Sequence, residues 1–282
     1  NTTVSYKVLQ TCNLKLTDAQ VERHFTPPVA ARNYAYPNIA AYLAIEPFYN
    51  EYQSLAGQLK DLEESPQPNL KKTYDLELVA FQAFMEVAFE LVYRDTIISN
   101  FTEVALQEYK EKTDPTVYAN SLEYAGSVAQ HILARADKDM YKETRNFQEF
   151  APSQLPDKWK PTSPDYMPAI EPSWRVIRPF VLDSATQFRP IRPSEVVFEP
   201  GTKFYKETQQ VLNAVNNATE EQREIANFWD CNPNISHHHG HFMFFLQKIS
   251  PGGHWVHIAL QALEAKDMNL DQAAATMAVL GV

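Results

Sequence analysis

A chain of 282 residues, 44% apolar and 12% aromatic, holds ample material for a sizeable core. Its 7 glycines against 19 prolines argue against an all-β fold, which uses glycine in tight turns. A formal charge of −10 argues against a nucleic-acid partner, which needs a basic surface, and no apolar run reaches the roughly 18 residues of a membrane-spanning helix.

In chain order, Thr17 to His24 predicts a short helix, stopped by Thr26-Pro27-Pro28. Arg32 to Phe48 predicts a second, with Pro37 kinking it or starting it anew. Pro66 and Pro68 mark a loop. The clearest helix follows, because Leu76, Val79, Ala80, Ala83, Phe84, Val87, Ala88 and Leu91 recur at spacings of three and four. A further helix covers about Asn100 to Lys112. Asp114-Pro115 then places a cap before a proline and opens a helix running to about Ala136.

Between Phe147 and Pro200 the texture changes. Prolines 152, 156, 161, 164, 168, 172, 179, 190, 193 and 200 exclude a long regular helix. Trp159, Tyr166, Trp174, Phe180 and Phe188 are interleaved with them. Large aromatics favour burial, so the segment is expected to be an ordered excursion packed over the helices. Helices resume over Thr202 to Asn216 and after the capping box Thr219-x-x-Gln222. The apolar stretch Gly240 to Lys248 is expected to be helical and broken by Pro251-Gly252-Gly253. His254 to Lys266 and a last helix capped by Asn269 complete the pattern. The fold class is therefore all-α, a bundle of about eight to ten helices with a long proline-rich excursion. The expected division is 1–146, 147–200 and 201–282.

The last helix is apolar up to Val282, without a charged final turn. The expectation is that it exposes an apolar face and that the domain continues beyond it. Cys12 and Cys231 lie too far apart in sequence to define a pairing, and no C-x-x-C suggests a thiolate zinc site. N-x-[ST] sequons at Asn1, Asn100, Asn217 and Asn234 matter only in a eukaryotic secretory host.

Trp174, Pro179-Phe180, Gln187-Phe188-Arg189-Pro190 and Arg192-Pro193 form a series that resembles a segment of the vanadium-dependent haloperoxidases and their type-2 acid phosphatase relatives. Ala226-Asn227-Phe228-Trp229 and Pro251-Gly252-Gly253-His254-Trp255 extend the likeness downstream, and Pro27-Pro28-Val29-Ala30-Ala31-Arg32 resembles exported bacterial members. The resemblance implies helical bundles, with vanadate, or phosphate in the phosphatases, bound in a C-terminal one. It also implies a secreted or periplasmic location, with a lipid anchor on a removed N-terminus as one form. In the family, Lys-x6-Arg-Pro, Pro-Ser-Gly-His and Ser-Arg-x5-His supply the donors that encircle the oxyanion.

None of the three motifs is present. Seven residues before Arg178, Arg189 and Arg192 stand Glu171, Leu182 and Ala185 rather than lysine. Pro251-Gly252-Gly253-His254 lacks the serine, and no arginine has a histidine six positions on. The chain therefore reads as the N-terminal helical portion of a haloperoxidase-like or phosphatase-like enzyme. No catalytic residue and no cofactor is expected within it. Its expected partner is the missing catalytic half, with a homodimer as the other arrangement. The alternatives are a non-catalytic helical binding module and a histidine-loop metal protein.

Ser236-His237-His238-His239-Gly240-His241, with His254 and His257, is the strongest local signal. A helix would place His237 and His241 on one face, yet no carboxylate stands at ligand spacing, so no metal is expected. His237, His238, His239, His241, His254 and Arg189 are the candidates for the rim of an oxyanion site completed by the missing half. Arg175, Arg178, Arg189 and Arg192 are expected chiefly to pin the proline-rich segment through carbonyl bonds. Glu103, Glu108, Glu123, Asp137 and Asp139 lack the Glu-x-x-His spacing of a di-iron site.

Overall fold

A computed structural model describes residues 5–163, 166–230 and 248–282, with the backbone of 236–239 and 242–245. Among the described residues the architecture is all-α. Its helices are α1 (Lys7–Glu22), α2 (Pro27–Ile45), α3 (Leu76–Leu91), α4 (Thr96–Lys112), α5 (Pro115–Ala136), α6 (Tyr141–Thr144), α7 (Lys203–Asn216), α8 (Glu220–Phe228), α9 (Pro251–Ala265) and α10 (Leu270–Gly281). One hairpin pairs β1 (Ser236–His239) with β2 (Phe242–Phe245), His237 opposite Phe244 and His239 opposite Phe242. Of the helix expected over 240–248, residues 242–245 are an extended strand instead. A short apolar run fits either structure, and its aromatic residues favour the strand.

Helix α2 is the axis of the bundle. Of its 19 residues, 16 are buried, since α3, α5, α9 and α10 all pack on it. That enclosure carries Pro37 inside a continuous helix, where a proline would otherwise cost about 3 kcal/mol. Small residues Ala40, Ala41 and Ala44 let the neighbours approach, and Ile39, Leu43 and Ile45 fill the gaps. The stripe predicted on α3 is the opposing wall: Val79, Ala80, Ala83, Phe84, Val87 and Ala88 are all buried. Asp75, Asp114, Thr219 and Asn269 cap α3, α5, α8 and α10 through side-chain bonds to backbone N–H groups.

Helix α1 begins ten residues before the predicted Thr17. Asn13 and Thr17 are poor helix formers, but here they are buried and bonded. Asn13 donates to the Leu9 carbonyl, and its amide exchanges hydrogen bonds of 2.9 and 3.1 Å with that of Asn38. Thr17 pairs with the Tyr34 hydroxyl at 2.7 Å.

Two further expectations are corrected. The last helix does not expose its apolar face: Leu270, Ala273, Ala274, Met277 and Ala278 are buried, and α10 packs on α2. Only Val279 and Leu280 protrude from the helix itself as large apolar side chains. The proline-rich excursion is docked only in part. Phe180 meets the Tyr36 ring edge-on at 5.2 Å, and the Phe180 carbonyl accepts from the Lys60 N–H at 2.7 Å. Glu171 accepts from Arg145 and Thr26, and Trp174 packs edge-on against Tyr141. On either side of these anchors, Trp159, Tyr166 and Phe188 are exposed, where the sequence predicted burial.

The Pro251-Gly252-Gly253 motif opens α9 rather than breaking a preceding helix. Ser250 caps it by accepting from the Gly253 N–H at 3.2 Å. A Cβ on Gly253 would lie 2.6 Å from Ile249 Cγ1 and 2.9 Å from the Tyr34 hydroxyl, which Thr17 already holds. Gly253→Ala is therefore expected to cost about 1–3 kcal/mol, read as a lower urea midpoint. An unchanged midpoint would show that Ile249 and Tyr34 yield without loss.

Candidate functional site

Two regions gather polar chemistry. The first lies where α2, α5, α6 and the excursion meet. Arg32, nearly buried on α2, donates to Asp139 Oδ2 at 2.7 Å and to the Ala136 carbonyl at 3.2 Å. The Tyr36 hydroxyl donates to the same carboxylate oxygen at 2.9 Å, and Arg135 donates to the Tyr36 oxygen at 2.9 Å. Burial, and the Asp139 carboxylate after it, pushes the Tyr36 hydroxyl far above its ordinary value, so it stays protonated as a donor. Arg178 extends the cluster by donating to the Arg135 carbonyl at 2.8 Å and to Asp61 at 3.1 Å.

A cavity of about 530 Å³ opens beside this cluster, lined among others by Arg32, Glu86, Glu90, Tyr93, Arg94 and Tyr141. Its cations already face carboxylates: Arg94 meets Glu90, Lys142 meets Asp137, and Arg145 meets Glu171. The cavity is therefore close to neutral and offers an oxyanion no uncompensated positive field.

The second region is the junction of α8 with α9. The His254 ring lies 5.5 Å from that of Phe228 and 5.3 Å from that of Trp229, and Trp229 also packs on Trp255 at 5.9 Å. One turn on, His257 Nε2 stands 3.3 Å from Thr17 Oγ1. Burial, then the neighbouring His254, holds the His257 pKa below 6.5 and favours its neutral form.

The sequence-predicted residues divide between these places. His254 sits in the aromatic junction. Arg189 lies on the exposed part of the excursion, away from the ionic cluster. The side chains of His237, His238 and His239, and all of His241, lie outside the described residues. The backbone of 236–239 is extended, so the helical i, i+4 pairing of His237 with His241 does not hold. Arg178 pins the excursion as expected, but through an α5 carbonyl rather than one of the segment's own. Among the described residues no group of three histidine, cysteine or carboxylate side chains could hold a metal ion. Of the five carboxylates weighed for a di-iron set, Asp139 serves Arg32, Asp137 serves Lys142 and Glu123 serves Lys72. The Arg32–Asp139–Tyr36–Arg135 cluster had no sequence signal, because its two halves, Arg32 with Tyr36 and Arg135 with Asp139, lie about a hundred residues apart.

Neither a family model nor a curated protein matches the chain. A solved structure does: the first bacterial vanadium-dependent iodoperoxidase superposes on 100% of this chain and 68% of its own, with a TM-score of 0.89 and 34% sequence identity. A helical protein of this class, matched over its whole length at that identity, is identified by family. The chain belongs to the vanadium-dependent haloperoxidase superfamily.

The iodoperoxidase is described as vanadium-dependent, and an oxyanion such as vanadate needs several cationic and hydroxyl donors converging on it. The described residues do not supply that set. Arg32, Arg145 and Arg178 face carboxylates, Arg135 is held by the Tyr36 hydroxyl and the Lys60 carbonyl, and Arg189 and Arg192 are spread along exposed chain.

Proposed function

We propose that this chain is the N-terminal helical portion of a vanadium-dependent haloperoxidase, an enzyme that oxidises halide with peroxide, iodide being the first substrate to try. The oxyanion-binding residues then lie in polypeptide beyond this segment. One observation carries the reading: a superposition of all 282 residues, at 34% identity, on 68% of the chain of a vanadium-dependent iodoperoxidase, which favours the peroxidase over the phosphatase branch. The absence of the three oxyanion motifs from the sequence supports assigning the cradle elsewhere. On this reading the chain's own residues scaffold. The Arg32–Asp139 cluster locks the excursion to the bundle, and His254 fixes the α8–α9 junction.

Iodide oxidation by peroxide tests this directly. The protein expressed from its complete reading frame should turn over only with vanadate added, and the 282-residue chain should show no vanadate-dependent turnover. Hydrolysis of an aryl phosphate by the complete protein, without iodide oxidation, would move it to the phosphatase branch. Inactivity in both assays would favour a non-catalytic helical module.

A further inference from the structure

Glu86 is the charge that the cavity beside the arginine cluster leaves unbalanced. Arg32, Arg94, Lys142 and Arg145 line that cavity, and each already faces a carboxylate: Asp139, Glu90, Asp137 and Glu171 in turn. Glu86 lines it too, on α3, and among the described residues its carboxylate is held by neutral donors rather than by a cation. Gln130 Nε2 donates to Oε1 at 2.7 Å, and Gln82 Nε2 donates to Oε2 at 3.3 Å. Gly126 on α5 leaves room for the group, since a Cβ there would already touch Oε2 at 3.4 Å. A carboxylate has about four lone-pair sites, so each oxygen keeps one that the two amides do not use. Glu86 is half-buried, which removes part of the water that would otherwise serve them.

The facing walls are apolar and already in place. Leu91, Leu133, Tyr93 and Tyr141 supply them. Tyr93 stacks on Phe25 with ring centroids 5.8 Å apart, and its hydroxyl meets that of Tyr141 at 3.0 Å. Arg32 and Arg145 each stand 4.6 Å from the centre of the Tyr141 ring, whereas Tyr93 is 58% exposed and keeps ring surface for a ligand. Walls fixed in advance lower the ordering cost of binding. The volume of about 530 Å³ is that of a small-molecule site. We propose that this cavity binds a small organic cation, a primary ammonium carrying an apolar or aryl body, with the ammonium on Glu86 and the body against Tyr93 and Leu133. An ammonium brings three donors and the opposite charge, which the carboxylate lacks. An anionic ligand would meet the same unbalanced carboxylate and be repelled. A bare divalent metal ion needs more oxygen ligands than the one carboxylate left without a cation. The inference does not depend on the chain being part of a longer enzyme.

Isothermal titration into the protein expressed from its complete reading frame tests it. The probe is phenethylamine, with phenylacetate and phenethyl alcohol as controls of similar shape. The amine should bind saturably and about tenfold or more tighter than either control, the effect of one charge-assisted hydrogen bond at a half-buried site. Glu86→Gln removes the charge at nearly constant volume and should weaken the amine about tenfold. Tyr93→Ala changes an exposed side chain outside the bundle core, so it keeps the test open should Glu86→Gln fail to fold. It should weaken the amine about threefold through the lost aromatic wall. No isotherm for the amine at millimolar concentration would overturn the proposal. So would phenylacetate binding as tightly as the amine. An amine affinity that both variants leave unchanged would place the amine elsewhere on the protein and overturn it as well.

Discussion

Asp139→Ala is expected to lower the free energy of unfolding by about 3–5 kcal/mol, because it strands a buried guanidinium without its counter-charge. Arg32 is 8% exposed and Asp139 1%, so water does little to screen the loss. The carboxylate also accepts from the Tyr36 hydroxyl and, through its other oxygen, from the Tyr141 N–H at 2.9 Å. Each of those donors would be left without its partner at additional cost. Urea unfolding at neutral pH measures the effect. The double variant Arg32→Met/Asp139→Leu separates the ion pair from the packing. It should recover most of the loss, since an apolar pair of similar volume removes the desolvation penalty. A loss below about 1 kcal/mol for the single variant would place the pair in the solvated class and contradict the burial described here.

Phe84→Ala is expected to cost about 3–5 kcal/mol by a different route, a cavity in a close-packed wall. Phe84 is fully buried on α3, the helix whose stripe packs against α2 and α5. No hydrogen bond changes, so the loss should be independent of pH between 5 and 8, roughly the range where carboxylate and histidine titration reshapes stability. The same urea experiment at two pH values checks both parts. A marked pH dependence would show that the substitution disturbs an ionic group rather than the core alone.

These two positions mark how far the sequence was legible. Phe84 was readable because burial on one helix face leaves a period of three to four in the sequence itself. The caps at Asp114, Thr219 and Asn269 were readable for the same reason: a cap is a local event with local chemistry. Arg32 and Asp139 were not, since their partnership spans 107 positions and leaves no periodic trace. Asp139 was weighed only as a metal ligand. Helix α1 was misjudged at Asn13 and Thr17, where tertiary hydrogen bonds override weak propensity. The excursion shows the opposite error. Its aromatics suggested burial, but burial needs a surface to pack on; the anchors between Glu171 and Asp183 find one on the bundle, and Phe198 packs on Phe204 and Tyr205 of α7. Phe188, with Val211 and Val215 of α7 and Ile225 of α8, remains exposed. The histidine run was conspicuous in sequence, yet a ligand set depends on side-chain convergence that spacing alone does not fix once the backbone is extended rather than helical.

The central proposal is that this chain supplies haloperoxidase scaffold and not the oxyanion cradle. Isothermal titration of vanadate into the purified 282-residue chain tests it most directly, with the complete protein as the reference. The account predicts a saturable binding isotherm for the complete protein and none for the chain alone. Stoichiometric vanadate binding by the 282 residues themselves would contradict it, and would mean that the cradle is built from groups within this segment.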